Sequence, residues 1–252
     1  MITTRLNGGL GNKLYQIAAA YSLAKDNSDV CAFNFNDHVV KQGRSACDYR
    51  NNVLKKVNEI TGYWEPEYFY KEPSASYKEI PYHENMLLNG YFQSEKYFMN
   101  HVKEVIDLFT DELLIEYLKD RYDFKDSLSV HIRRGDYCGV STCRPLSLNY
   151  YERALFAVDN NIGVRTIYIF SDDIEWCREI FKDKRIRFIT GAEDYMDFYM
   201  MSLCKYNIIA NSTFSGWASI LNVNPDKIVI APRQWSEEVW TEDIYCKDWI
   251  II

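Results

Sequence analysis

Five short apolar runs in the second half of this 252-residue chain alternate with amphipathic segments, and that alternation narrows the fold more than any other feature. The runs are Leu128 to Ile132, Thr166 to Phe170, Ile186 to Ile189, Asn207 to Ala210 and Lys227 to Ile230. Between them lie Asn149 to Val158, Ile174 to Phe181, Glu193 to Lys205 and Ser215 to Leu221. Runs this short and apolar suit strands covered on both faces, and the segments between them repeat with helical period. Strands and helices in alternation build parallel βαβ units with right-handed crossovers, so the expected class is α/β. The first half is less regular. Ile2 to Leu6 reads as a strand and Asn7 to Asn12 as a glycine loop; a helix capped by Asn12 follows, its core face being Leu14, Ile17, Ala18, Tyr21 and Ala24. Val30 to Phe35 predicts a second strand, residues 37–81 show no clear period, and Phe98 to Lys119 reads as helix. The charged stretch Lys119 to Asp126 then marks a boundary between an N-terminal lobe, 1–125, and a C-terminal lobe, 126–252.

Polar residues gather just after the strand-like runs. His131-Ile132-Arg133-Arg134-Gly135-Asp136 closes the first, Ser171-Asp172-Asp173 the second, Thr190-Gly191 the third and Asn211-Ser212-Thr213-Phe214-Ser215 the fourth. Open α/β sheets bind ligands beyond the carboxyl ends of their strands, so these residues are expected to share one rim. A guanidinium offers a rigid fork of donors that matches phosphate oxygens and stays charged at physiological pH. The serines and threonine stand at the start of a helix, where they cap it or offer hydroxyl and N–H contacts to a phosphate. In the first half, Gly8-Gly9-Leu10-Gly11 also puts backbone N–H groups at a helix start, but it lacks the Lys-Ser ending of an NTP-binding P-loop.

Composition limits the partners. A net charge of -7 argues against non-specific binding to nucleic acid or an anionic membrane, so a phosphate site must be local. The seven cysteines have no metal-binding spacing, and no 18-residue apolar stretch or signal-peptide pattern occurs, which fits a soluble cytoplasmic protein with reduced thiols. The 20 tyrosines and 6 tryptophans exceed what a core alone needs; core packing is the default use for most of them, and a sugar-binding cleft is another.

Together, Gly8 to Asn12, Gly90 to Phe98, His131 to Tyr137, Phe170 to Cys177 and Asn207 to Ser215 stand in the order seen in α-1,2-fucosyltransferases. The chain therefore resembles glycosyltransferase family 11 over nearly its whole length. The resemblance implies a GT-B fold, two Rossmann-like lobes facing a cleft with the C-terminal lobe binding the nucleotide sugar. It also implies GDP-fucose as donor, inversion at the fucose C1, a galactose-containing oligosaccharide, glycolipid or glycoprotein as acceptor, and neither cofactor nor metal. Localisation would be cytoplasmic, at most peripheral to a membrane that carries the acceptor.

By the same resemblance Arg133 holds the diphosphate, with His131 and Arg134 in support. Asp197 reads guanine N1–H and N2–H, Thr213, Phe214 and Ser215 line the β-phosphate, and Asn211 and Ser212 are further donor-binding residues. Asn12, with Gly9 and Gly11 of its loop, faces the fucose and diphosphate. Asp172 is a nucleotide or loop contact, with a metal-binding pair formed by Asp172 and Asp173 as the alternative. Asp136 is the candidate base nearest the arginines, although their charge depresses its pKa and favours a structural role pairing Arg133 or Arg134. Two departures stand out: Lys13 where the family usually has Gln, and Gly216-Trp217-Ala218 where it has Trp-Trp-Gly. Loss of an indole at Gly216 is expected to open space beside the donor, which leaves room for another GDP-deoxyhexose. A non-catalytic nucleotide-sugar or glycan-binding protein on the same fold is the remaining alternative.

Overall fold

The computed structural model describes residues 1–36, 43–139, 144–161, 163–236 and 241–252, the side chains of Asp136 and of residues 159–161 excepted. The chain divides into two compact units. Unit 1 comprises Met1–Asp111 and Thr241–Cys246; unit 2 comprises Glu112–Trp240 and Lys247–Ile252.

Unit 1 contains β1 (Ile2–Thr4), α1 (Leu10–Asp26), β2 (Tyr68–Lys71), β3 (Met86–Asn89) and α2 (Val102–Leu108). Its strands form a three-stranded parallel sheet in the order β1-β3-β2. The strand expected over 30–35 is reduced to two isolated bridges, Ile2 to Cys31 and Phe33 to Glu59. Unit 2 contains α3 (Glu112–Lys119), β4 (Ser127–Ile132), α4 (Leu148–Asn161), β5 (Thr166–Ser171), α5 (Ile174–Ile180) and β6 (Ile186–Phe188). It continues through α6 (Asp194–Leu203), β7 (Tyr206–Ile208), α7 (Thr213–Leu221), β8 (Ile228–Ala231) and β9 (Ile250–Ile251).

All six strands of unit 2 are parallel, in the order β6-β5-β4-β7-β8-β9. This is the doubly wound order, which reverses direction between β4 and β7. A crevice opens at such a reversal because the two flanking connections leave toward opposite faces. Every residue of β4 is buried, and its side chains alternate between the faces. Leu128, Val130 and Ile132 join Tyr151 and Ala154 of α4 and Cys177 of α5 in one apolar core. The opposite face carries Ser129, whose hydroxyl accepts from Asn207 Nδ2 at 2.7 Å, and His131, whose ring lies 5.7 Å from that of Phe214 in α7. Truncating Ile132 to alanine in so closed a core would cost about 2–5 kcal/mol.

The division between units falls between Asp111 and Glu112, ahead of the expected 125/126. The charged surface of 119–126 looks like a linker, but α3 packs on α6, and the rings of Tyr122 and Phe124 lie 6.2 and 5.8 Å from that of Tyr168 on β5. The helix expected over 98–119 is accordingly broken, α2 ending at Leu108 and α3 starting at Glu112. The returning segment 241–246 is tied into unit 1 by Asp243, which accepts from Lys96 Nζ at 2.5 Å and from the Tyr77 backbone N–H at 2.7 Å.

Candidate active site

The rim of unit 2 is built by the turns that follow β4, β5 and β7. Arg133 and Arg134 leave the end of β4 and meet the two carboxylates that follow β5. Arg133 Nη1 lies 3.0 Å from Asp172 Oδ2, and the Arg134 backbone N–H donates to Asp172 Oδ1 at 2.8 Å. Arg134 Nε donates to Asp173 Oδ2 at 3.0 Å, and its guanidinium stacks 3.9 Å from the Trp176 ring. Asp173 also caps α5, its Oδ1 accepting from the Trp176 N–H at 3.3 Å. Each aspartate thus holds an arginine and a backbone amide at once. The Asp136 side chain lies outside the described residues, and among those described Asp172 and Asp173 pair with the two arginines. Both carboxylates are committed to cations, which argues against a metal-binding pair.

Gly135 has a specific reason to be glycine. A Cβ there would lie 2.7 Å from Asp172 Oδ2, the oxygen that binds Arg133. Beyond β7, Asn211 is buried and its Nδ2 donates to the carbonyls of Arg144 and Trp235 at 3.1 and 3.2 Å, leaving Oδ1 without a partner among the described residues. Ser212 caps α7 by accepting from the Phe214 N–H at 3.4 Å. Ser215 is buried, accepting from the Ala210 N–H at 3.2 Å and donating to the Ser212 carbonyl at 3.3 Å. These bonds fix the start of α7, where orphan N–H groups and the helix dipole favour an anion.

His131 lies beneath this rim. Burial, with Arg133 nearby, pushes its pKa down to about 4, so it is a neutral imidazole at pH 7 that packs on Phe214, its buried Nδ1 without a partner among the described residues. Asp197 occupies the first turn of α6, and the next residue, Phe198, has its ring 5.7 Å from that of Phe214. Burial, with Asp194 adding to it, pushes Asp197 up to about 7, and its Oδ1 has no partner among the described residues. A half-ionised carboxylate with an idle acceptor is suited to a ligand that brings two N–H donors.

Sequence reasoning missed several neighbours. Tyr137 O–H donates to the Asn211 carbonyl at 3.1 Å and ties the turn after β4 to the turn after β7. Arg144, Tyr150, Asn211, Arg233 and Trp235 line a cavity of about 470 Å³ beyond β7 and β8. The space expected beside Gly216 is occupied: the indole Cη2 atoms of Trp249 and Trp235 lie 3.4 and 3.7 Å from where a Cβ would stand. Aromatic residues this late in the chain gave no signal of facing α7, because no local period links them to it.

Unit 1 carries the other candidates. α1 begins at Leu10 with Gly9 as its N-cap, so Asn12 sits in the first turn and does not cap it. Asn12 Oδ1 accepts from Gln93 Nε2 at 2.9 Å, which joins the first two motifs of the resemblance. Gly8 has φ +76°, a region glycine enters without penalty, and Gly11 is buried in the helix. Lys13 is fully buried, its ammonium donating to the Gly8 carbonyl, and burial lowers its pKa to about 8.

The sequence matches the model of glycosyl transferase family 11 over residues 1–252. The chain belongs to glycosyltransferase family 11. Among its relatives, an α-1,2-colitosyltransferase of Escherichia coli is 30% identical, over 94% of this chain and 93% of its own. Galactoside 2-α-L-fucosyltransferase SEC1 of Bos taurus is 24% identical, over 88% of this chain and 64% of its own. A crystal structure of POFUT1 with GDP superposes with a TM-score of 0.55 at 12% identity, covering 91% of this chain and 97% of that one. That likeness shows the fold, α/β with parallel sheets. No helix among the described residues of this family 11 protein is long and apolar enough to cross a membrane.

Proposed function

We propose that the protein transfers fucose from GDP-fucose to a galactose hydroxyl of a glycan, with inversion at the fucose C1 and without a metal. The observation that carries this reading is the arginine pair at the reversal between β4 and β7, held by Asp172 and Asp173 within one unit. Breaking the C1–O bond leaves charge on the β-phosphate of GDP. Arg133 and Arg134 supply fixed cations for it, and the start of α7 adds backbone N–H groups. Asp197 then accepts from guanine N1–H and N2–H, a pair of donors that uracil and adenine do not present together. The galactoside acceptor is supported by the Bos taurus relative, a galactoside 2-α-L-fucosyltransferase.

A second donor is favoured by one finding, the 30% identity to an α-1,2-colitosyltransferase. Colitose differs from fucose by lacking the 3-hydroxyl. A site that hydrogen-bonds that hydroxyl would discriminate strongly, whereas an apolar one would not. Transfer assays with GDP-fucose and GDP-colitose on lactose, in EDTA, with the linkage read by NMR, test both readings. Product from GDP-fucose in EDTA supports the first, and product from GDP-colitose alone replaces it with the second. A thermal-shift series with GDP, UDP, ADP and CMP tests the base: GDP alone should stabilise, and stabilisation by UDP would overturn the assignment of Asp197.

A further inference from the structure

Unit 1 contains a cavity of about 400 Å³ between the second half of α1 and the segments around Tyr77 and Tyr97. Its wall begins at Ala19, nine residues along α1 from Leu10, about 14 Å at 1.5 Å per residue. Ser22 forms part of its wall, 1% exposed, with a hydroxyl that has no partner among the described residues. Tyr77 and Tyr97 line it, their rings 4.8 Å apart at 57°, together with Asp26, Glu79 and Asn100.

We propose that this cavity is a second carbohydrate-binding site, taking a neutral saccharide. Tyrosine faces suit the C–H face of a pyranose, while carboxylate and amide groups suit its neighbouring hydroxyls. The ammonium of Lys96, which also lines the space, is engaged by Asp243 at 2.5 Å, and Asp26 is paired with His101 at 2.7 Å, so the Glu79 carboxylate disfavours an anion. The site lies within unit 1 and does not depend on transfer.

The test is an NMR titration of the full 15N-labelled chain, without donor, using methyl β-galactoside, lactose and methyl β-N-acetylglucosaminide, with sodium phosphate and calcium chloride as controls. At least one glycoside should shift the amides of Ser22, Tyr77 and Asn100 with a dissociation constant of about 1 mM. Glu79→Gln and Asn100→Ala lie at exposed positions. Each should weaken binding about fivefold with an unchanged thermal midpoint, the loss of one hydrogen bond. Absence of shifts with every glycoside, shifts unaltered in both variants, or shifts produced by phosphate or calcium instead would overturn the proposal. Because no donor is present, none of these outcomes bears on the reading of unit 2.

Discussion

Each unit presents a glycine-bearing turn after a parallel strand, and the two turns are held by opposite means. In unit 2 the turn after β4 is braced by ion pairs, Arg133 to Asp172 and Arg134 to Asp173, on partly exposed side chains. In unit 1 the turn after β1 is braced by amides and one buried lysine. The Asn7 N–H donates to Gln16 Oε1 at 3.0 Å, Gln16 Nε2 to the Gly90 carbonyl at 3.1 Å, and Lys13 to the Gly8 carbonyl. Ionic bracing leaves cations at the rim, where an incoming diphosphate can compete with Asp172 for the same guanidinium. Amide bracing fixes shape and presents no strong charge to a ligand.

If charge is the working difference, Arg133→Ala should lower turnover about 100-fold or more, while Asn12→Ala costs about tenfold. Steady-state kinetics on both variants decide it, and equal losses would erase the distinction. Next comes the pH dependence of GDP binding. GDP should bind the ionised form of Asp197, so affinity measured by calorimetry should fall as pH drops below about 7, by up to about tenfold per unit, and Asp197→Asn should flatten the profile. The same group acts on stability with the reverse sense. Its folded pKa lies above the unfolded value of about 3.9, so the native state holds the proton longer and stability declines as pH rises from about 4 to 7. Urea titrations of Asp197→Asn at pH 8 should therefore show a gain of about 1–2 kcal/mol.

Glycine substitutions separate the two braces further. Gly135→Ala should weaken GDP binding several-fold with little change in thermal midpoint, because the new Cβ pushes Asp172 off Arg133. Gly8→Ala should instead cost about 1 kcal/mol of stability through its left-handed backbone, besides the crowding of its Cβ against Asn12. The smallest effect is expected for Lys13→Gln, under about 1 kcal/mol, since a neutral amide can also donate to the Gly8 carbonyl. A large kinetic loss there would reveal a charge at work in unit 1 after all.

The strands of unit 2 were legible because they are short, apolar and covered on both faces: Leu128 to Ile132 differs from β4 by one residue, and Thr166 to Phe170 from β5 by one. Their sequence neighbours then placed Arg133, Asp172 and Ser212 at strand ends without further information. Unit 1 resisted because β2, Tyr68–Lys71, alternates half-buried and exposed residues within an aromatic stretch that has no flanking period. β9 has two residues and both are exposed. The ion pairs with Asp172 and Asp173 carried no local signal: Asp172 stands 38 residues from Arg134 and is brought near by the register of β4 on β5, which pairs Ile132 with Ser171.

The return of Thr241–Cys246 to unit 1 has a consequence for how this protein can be cut and recombined. A gene fragment ending at codon 111 would encode a unit 1 without Asp243, stranding the Lys96 ammonium and the Tyr77 amide that it binds. Exchanging unit 1 between relatives therefore takes two coordinated replacements, one of them six residues long. A single crossover at the boundary would join halves that lack each other's last stitch.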